Sequence, residues 1–365
     1  MITMRLKDLT DQIGQSGQFA SIYFDSSHDT ADAAQQIELR WRAVVDQLEG
    51  AGLAQQTLTA LDNAVTESPP SRGRAGRALV AAGSTVLIDE QLPEPPPGRI
   101  ARVSPLPYLL PLIEHDAQQV PHVIAVVDRT GADLRAVEQH GMDQESVQGT
   151  EHQVHKVRGG GWSHWSIQNR VEEKARQNVD EVAREVSRLV DAVDAQVLVL
   201  AGEVQARKAL HDAIAPRARE IAVEASTGNR AEGGDFEAFE QEVRRILDAH
   251  VEKQRQAVLD RFHAEVSRDN LAAQGLDATL SALNAANVEY LLVNAQVLAD
   301  RTLCSGAQPT PLATTEQPLR SAGEETVQTV RADEALPIAA LATGAKVVTS
   351  DEALPDGVGV LLRHT

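Results

Sequence analysis

A stretch of glycines, cations and tryptophans near position 160 carries the clearest chemical signal in the sequence. Between His155 and Arg176, five lysines and arginines stand against two glutamates, although the whole chain has a formal net charge of −19. The run Gly159–Gly161 lets a ligand approach the backbone closely, because glycine has no Cβ. Trp162 and Trp165, two of the three tryptophans, add stacking surfaces. This combination suits an RNA backbone with unstacked bases. The alternative is a surface loop whose tryptophans pack back onto the protein.

A second basic stretch, Ser71–Arg77, has its arginines spaced by glycine and alanine. It either contacts phosphates or is a solvated loop. The residues that we expect to contact RNA are therefore the following: Lys156, Arg158, Gly159, Gly160, Gly161, Trp162, Ser163, His164, Trp165, Arg72, Arg74 and Arg77.

Other chemistries are less well supported by the same residues. The glycine run fits neither GxxxxGK[ST] nor GxGxxG, so a nucleotide loop is not expected. His152, His155 and His164 could ligate zinc, but neither an HExxH motif nor a cysteine pair accompanies them. The single cysteine, Cys304, has no His–acid pattern pointing to it and is expected to be a structural thiol. We expect no cofactor and no metal.

Bulk composition narrows the class of protein. With 365 residues and 42% hydrophobic residues, the chain is expected to form two or three packed domains. The apolar runs are far shorter than the ~20 residues of a membrane span, and one cysteine suits a reducing compartment. We therefore expect a soluble cytoplasmic protein without a membrane partner. The acidity of the chain argues against non-specific wrapping of nucleic acid but allows a local basic tip.

Hydrophobic periodicity predicts an α/β (α+β) fold class with three small α/β domains, at residues 1–116, 117–230 and 231–365. The first domain has a strand at Phe19–Phe24, helices at Ala31–Leu48 and Leu53–Val65, and a hairpin that begins at Ala78. The proline run Pro93–Gly98 reads as a surface loop.

The central domain begins with a buried strand at Val123–Val127 and its hairpin partner Ala132–Val137. From Ser166 onward, apolar residues recur every three or four positions as far as Leu189, which predicts one long helix directly after the glycine loop. The strand Val197–Gly202 and the helix Val204–Ile214 follow.

A polar glycine linker, Gly228–Gly234, leads to the third domain. There the pattern predicts a long amphipathic helix over residues 236–262, a helix at Ala278–Ala286 running into a strand, and a helix at Asp333–Ala342 capped by a glycine at position 344. The segment Cys304–Thr326, rich in Pro, Ser, Thr and Gln, is expected to be a long loop.

In this order the pieces resemble the class-one peptide release factors of archaea and eukaryotes and their relative Pelota, and among bacterial members the ribosome hibernation factors of the Balon type. Val123–Leu134 is similar to the opening strand pair of the family's central domain. His155–Ser163, followed by Ile167–Leu189, stands where the family has its Gly-Gly-Gln loop and long helix. Ala282–Val293 and Gly357–Arg363 resemble the start and end of its third domain.

The sequence departs from the family at two functional motifs. The family's glutamine helps water to attack the peptidyl-tRNA ester, whereas here Trp162 follows the glycines. Tryptophan has one N–H donor and no acceptor, and its bulk would fill the space of the attacking water. The codon-reading Asn-Ile-Lys-Ser pattern is absent from the first domain, where Arg40–Val44 occupies the comparable region.

The resemblance therefore implies a non-enzymatic factor that binds the ribosomal A site and inserts Arg158–Trp165 near the peptidyl-transferase centre. It also implies a first domain near the decoding centre and a third domain that meets a translational GTPase, in bacteria elongation factor Tu. Hibernation or stress protection would fit such a factor. The alternative is a peptidyl-tRNA hydrolase or rescue enzyme, or a nuclease, that uses His155 or His164 as general base.

Overall fold

The computed structural model describes residues 17–71, 73–128, 131–138, 166–171, 179–228 and 236–365. They form two compact units, one made of Met1–Asp116 together with Ala257–Thr365 and the other of Ala117–Gln256. These units meet after residue 116 and again after residue 256, inside a helix.

From residue 17 onward, where the description of the chain begins, the amino-terminal part of the first unit is an antiparallel sheet, in the order β3-β2-β1-β4, with three helices. Its elements are β1 (Phe19–Asp25), α1 (Ala33–Gly50), α2 (Gln55–Glu67), β2 (Gly76–Ala82), β3 (Thr85–Leu92), β4 (Ile100–Ser104) and α3 (Leu110–Gln118). Strand β4 was not expected from the sequence. The side chains of strand β1, which are buried except for that of Asp25, alternate between two cores because successive side chains point to opposite faces. Ile22 and Phe24 pack with α1 and α2, and Phe19 and Tyr23 pack on the other face.

The second unit has a five-stranded sheet in the order β7-β6-β5-β8-β9. Its elements are β5 (His122–Val127), β6 (Ala132–Val137), β7 (Ser166–Val171), α4 (Val179–Ala192), β8 (Val197–Gly202), α5 (Val204–Ala213), α6 (Pro216–Glu220), β9 (Ala222–Glu224) and the start of α7 (Phe236–Arg268). Strands β5, β8 and β9 are parallel, and β5, β6 and β7 are antiparallel.

One predicted element of this unit is wrong. The sequence predicts a helix from Ser166, whereas Ser166–Val171 is strand β7 and pairs antiparallel with β6. The described helix, α4, begins at Val179. The ladder with β6 gives the backbone groups of both strands their partners, and this long-range pairing prevails over the local helical spacing.

The carboxy-terminal part of the first unit contains a four-stranded sheet, β10-β16-β11-β15, and a three-stranded sheet, β13-β12-β14. Its elements after α7 are β10 (Ala272–Gln274), α8 (Leu276–Asn284), β11 (Val288–Val293), α9 (Ala295–Leu298), β12 (Thr302–Ser305), β13 (Leu312–Ala313), α10 (Glu316–Ser321), β14 (Gln328–Arg331), α11 (Ala332–Ala342), β15 (Lys346–Thr349) and β16 (Val358–Leu362). The segment Cys304–Thr326 is therefore not the long loop expected, since it contains the end of β12, strand β13 and helix α10. Helix α11 ends as expected before Gly344, which has a φ of 72°.

A single hydrophobic core joins the two parts of the first unit. It contains Tyr23, Val80 and Tyr108 from the amino-terminal part and Leu291 and Leu336 from the carboxy-terminal part. Because these parts share one core, they form one unit although 140 residues separate them along the chain. The expected α/β fold class is confirmed in both units.

Candidate functional site

The expected RNA-binding loop starts and ends on two paired strands. Residues 139–165 connect the end of β6 to the start of β7, and Val137 is the direct partner of Ser166 in the antiparallel ladder. The chain therefore leaves and re-enters the sheet at the same place. The loop residues themselves lie outside the described part of the chain: Lys156, Arg158, Gly159, Gly160, Gly161, Trp162, Ser163, His164 and Trp165.

The two ends of the loop belong to a row that crosses four strands. Ser166 pairs with Val137, Val137 with His122, and His122 with Val197. His122 is 6% exposed, and its Nδ1 lies 2.8 Å from the backbone oxygen of Val120. The sequence analysis did not single out this histidine, which looks like an ordinary first residue of a strand.

The base of the loop is buried on both faces of the sheet. On one face, Val123 and Leu134 pack against Val186 and Leu189 of α4. On the other, Ile124 packs with residues of α7. Such two-sided burial makes β5 and its neighbours a firm base for the loop, since packed interiors resist local displacement.

Two polar contacts fix α7 to this base. Arg135 Nη1 on β6 donates to Glu240 Oε1 at 2.9 Å. The Glu242 carboxylate accepts from the backbone N–H groups of Ser226 and Thr227, at 2.8 and 2.7 Å, and from both hydroxyl groups. These hydrogen bonds, with that of the Thr227 hydroxyl foremost, lower the pKa of Glu242 to about 2.

The opposite end of the sheet carries a glycine that no other residue could replace without strain. Gly202 ends β8 with a φ of 103°, and a Cβ there would lie 1.9 Å from the backbone oxygen of Val127. Glu203 follows as the N-cap residue of α5, without a side-chain capping bond, and its N–H donates to the Val127 oxygen at 2.8 Å. Glu203 is thus remote from the loop ends within the sheet.

In the second basic stretch, Arg74 is exposed, whereas Arg77 forms an ion pair and hydrogen bonds. Arg74 is exposed in the loop before β2. Arg77 is held by Asp89, at 2.7 and 2.8 Å, and by the Ala64 oxygen and the Ser68 hydroxyl. Arg72 lies outside the described residues. The structure therefore leaves the Arg74 guanidinium exposed, whereas it uses Arg77 to join β2, β3 and α2.

The helix region compared with the codon-reading motif is largely structural. Trp41 is 7% exposed, its Nε1 donates to Asp62 Oδ1 at 2.8 Å, and its ring packs against Phe24. Arg40 forms an ion pair with Asp25 at 3.1 Å. Val44 is buried in the same core.

The alternatives to RNA binding were a metal site, a reactive cysteine and a membrane span. Within the described ranges, no group of three His, Cys, Asp or Glu residues is placed to hold a metal. His152, His155 and His164 lie outside those ranges. Cys304 is buried in β12. None of the described helices is both long and apolar enough to cross a membrane.

A buried polar cluster in the first unit was not anticipated from the sequence. We call it the seam cluster because it joins the amino-terminal and carboxy-terminal parts of that unit. Its members are Arg102 and Ser104 of β4, Arg331 of β14, and Asp333 and Glu334 of α11. Asp333 and Glu334 stand in the first turn of their helix, where acids are common, so nothing in the sequence indicates that they are buried.

Comparisons with known proteins match the region that holds the loop. The model of bacterial archaeo-eukaryotic release factor family 2 matches residues 121–268. An uncharacterized protein of Mycobacterium tuberculosis strain H37Rv is 37% identical over 369 residues, which cover 99% of this chain and 97% of that protein.

Among solved structures, Archaeoglobus fulgidus Pelota is 16% identical, with 80% of each chain covered and a TM-score of 0.38. Saccharomyces cerevisiae Dom34, a translation termination-like factor, is 13% identical, with 70% of this chain and 67% of that chain covered and a TM-score of 0.40.

Proposed function

Because this chain belongs to bacterial archaeo-eukaryotic release factor family 2, we propose that it is a translation factor that binds the ribosomal A site. In this proposal the Arg158–Trp165 loop enters the neighbourhood of the peptidyl-transferase centre. The observation that carries the proposal is the Val137–Ser166 pair, which roots the loop on a buried sheet inside the matched region. A long insertion with a firm base can present its tip to a narrow site.

The composition of the tip favours binding over catalysis. Lys156 and Arg158 supply charge for rRNA phosphates, and Trp162 and Trp165 supply rings on which bases can stack. Trp162 stands where the resemblance places the family's glutamine, and it cannot orient water as an amide does. We therefore propose that the factor occupies the site without hydrolysing peptidyl-tRNA. Such occupation would suit hibernation or protection under stress.

The first unit would supply further contacts. Arg74 is exposed, and in this proposal it contacts RNA near the decoding centre with Arg72. Arg77 would contribute less to RNA binding, because Asp89 already neutralises its charge. By resemblance, the carboxy-terminal region would meet a translational GTPase, in bacteria elongation factor Tu. The place of action would be the cytoplasm, where ribosomes translate.

Co-sedimentation with ribosomes tests the proposal directly. We would compare the wild-type chain with a variant lacking residues 159–165 and with Lys156→Ala/Arg158→Ala. Arg217→Ala is the matched control, since it removes an exposed arginine of the same unit that is paired with Asp191 and Asp194. We expect wild type and control to sediment with ribosomes at low salt, and the two loop variants to stay near the top of the gradient.

A wild-type protein that stays at the top of the gradient at low salt would refute ribosome binding. Unchanged sedimentation of both loop variants would refute the role of the loop. Hydrolysis of peptidyl-tRNA on stalled ribosomes, lost in His164→Ala, would replace the non-enzymatic proposal by that of a hydrolase.

Fluorescence offers a second, local readout of the same event. Trp41 is buried in the first unit, so Trp41→Phe leaves Trp162 and Trp165 as the only tryptophans. If the loop stacks on rRNA bases, we expect their emission to be quenched when ribosomes are added. Emission of the Trp41→Phe protein that does not change at saturating ribosome concentration would contradict stacking.

A further inference from the structure

The seam cluster concentrates four charged side chains and one hydroxyl at one point of the first unit. Arg102 Nη1 lies 2.9 Å from Asp333 Oδ2 and 3.5 Å from Glu334 Oε1. Arg331 Nε lies 3.0 Å from Asp333 Oδ1 and 3.7 Å from Glu334 Oε1. The Ser104 hydroxyl donates to Glu334 Oε2. All of these groups meet where β4 packs against α11.

The two carboxylates of the cluster are unequally supported. Asp333 and Glu334 are 1% and 0% exposed. Asp333 has close contacts to both guanidinium groups, whereas the guanidinium nitrogens lie 3.5 Å or more from Glu334. Burial of a charge costs free energy unless close partners compensate it. Protonation of Glu334 therefore lowers the free-energy cost of burial more than protonation of Asp333 would, because the Glu334 carboxylate has the weaker guanidinium contacts.

Three elements supply the charged and polar groups that surround Glu334. Strand β4 contributes Arg102 and Ser104, β14 contributes Arg331, and α11 contributes Asp333. The Tyr108 ring stacks on Arg102, with the guanidinium carbon 3.6 Å from the ring centroid. Desolvation by burial is the largest influence and raises the pKa of Glu334 to about 7. The negative charge of Asp333 acts in the same direction, and the Ser104 hydrogen bond and both arginines oppose it.

The cluster lies on the contact between two distant parts of the chain. Arg102 and Ser104 precede Asp333 and Glu334 by about 230 residues. Separation of β4 from α11 would return both carboxylates to water and remove the cost of charging Glu334. The protonation of this side chain and the closure of the seam are therefore thermodynamically linked.

We propose that the seam cluster is a proton-responsive latch, in which proton uptake by Glu334 tightens the packing of the amino-terminal sheet on α11 and proton loss loosens it. The latch is a property of the first unit alone, so it does not depend on ribosome binding.

The direction of the effect follows from the raised pKa. A group whose pKa is higher in the closed state favours closure fully below its ordinary value and loses that contribution as the pH rises through the closed-state value. The closed state thus loses stability over the pH range from the ordinary pKa of 4.5 to the raised pKa of about 7. Between about pH 6 and about pH 8, these two values imply a decrease of about tenfold in the ratio of closed to open seam.

Hydrogen–deuterium exchange of the full chain at about pH 6 and about pH 8 tests the latch, with each rate divided by the intrinsic chemical rate at that pH. We expect wild-type amides of β4 and α11 to be about tenfold better protected at the lower pH. In Glu334→Gln, which mimics the protonated acid, protection should be independent of pH. Glu289→Gln is the matched control, because Arg261 lowers the pKa of that exposed acid out of this window.

Equal wild-type protection at both pH values, or a pH dependence that persists in Glu334→Gln, would overturn the proposal. So would its loss in the Glu289→Gln control. If Glu334→Gln does not fold, Ser104→Ala provides an independent test. Removal of the hydroxyl that stabilises the carboxylate should raise the Glu334 pKa and move the loosening to higher pH. An unchanged midpoint in Ser104→Ala would also overturn the latch.

Discussion

Arg102 on β4 and Asp333 on α11 form a partly buried ion pair across 231 residues of sequence, with Nη1 and Oδ2 2.9 Å apart. The opposite side of the guanidinium group is covered by the ring of Tyr108. The pair therefore joins the first sheet of the chain to one of its last helices. It lies next to the shared hydrophobic core, where the Asp333 side chain is 1% exposed and that of Arg102 is 25% exposed.

Arg102→Ala should destabilise the first unit by about 3 kcal/mol, because it leaves two buried carboxylates with Arg331 as their remaining cation. Urea unfolding followed by circular dichroism measures the loss. Arg320→Ala is the control, since Arg320 forms an exposed i,i+4 pair with Glu316 and its removal should change stability by less than ~0.5 kcal/mol. Equal effects of the two substitutions would contradict the buried role of Arg102.

Arg77→Ala and Arg74→Ala should separate stability from RNA binding. Arg77 makes charge-assisted bonds to Asp89 and bonds to α2, so its loss should cost about 1–3 kcal/mol. Arg74 is exposed, and its loss should leave the unfolding free energy unchanged while weakening ribosome binding at moderate salt. Unfolding curves and sedimentation of both variants measure these effects. A loss of stability in Arg74→Ala but not in Arg77→Ala would contradict the structural role of Arg77.

Gly202→Ala should destabilise the second unit by ~3 kcal/mol or more, because the new Cβ would overlap the Val127 backbone at a positive φ. Gly50→Ala is the matched control at the end of α1, where a Cβ meets nothing within 4 Å. It should be neutral or stabilising by up to ~1 kcal/mol. Thermal unfolding of both variants gives the comparison, and a tolerated Gly202→Ala would rule out the close approach of β8 to β5.

Glu242→Ala should loosen the start of α7, since the carboxylate accepts from four donors of Ser226 and Thr227. We expect hydrogen exchange of residues 236–243 to accelerate several-fold, with no change in β5. Gln241→Ala, an exposed neighbour, should leave exchange unchanged.

Acid should imitate Glu242→Ala in the wild-type protein. The pKa of Glu242 is lowered from 4.5 to about 2, so its contribution is complete above the ordinary value and is lost as the pH falls towards the lower one. A wild-type protein whose α7 exchange stays constant over that range would argue against this role of the Glu242 carboxylate.

Elements with strong local patterns were predictable from the sequence. The continuous apolar run Val123–Val127 predicts a strand buried on both faces, and β5 is such a strand. The long amphipathic helix of the third region was also expected. The prediction failed from Ser166 onward, because the spacing of the apolar residues there fits a helix, whereas pairing with β6 depends on residues 29 to 39 positions earlier in the chain.

Features made by distant residues left no signal in the sequence. The three-stranded sheet β13-β12-β14 has strands of two to four residues, too short for a periodic pattern. The seam cluster needs Arg102 to meet Asp333, and nothing near either residue indicates the other. The residue types of the loop indicate its chemistry. The place where the loop joins the sheet is known only from the pairing of Val137 with Ser166 in the structure.

The shared core of the first unit has a consequence for the order of folding during synthesis. Its amino-terminal sheet leaves the ribosome first, yet the face that carries Tyr23 and Tyr108 is covered by residues such as Leu291 and Leu336, which are made more than 180 positions later. The second unit, whose chain is continuous from Ala117 to Gln256, can close in the meantime. The nascent sheet therefore keeps an apolar face uncovered until these later residues have been made, and apolar surface exposed in this way favours aggregation.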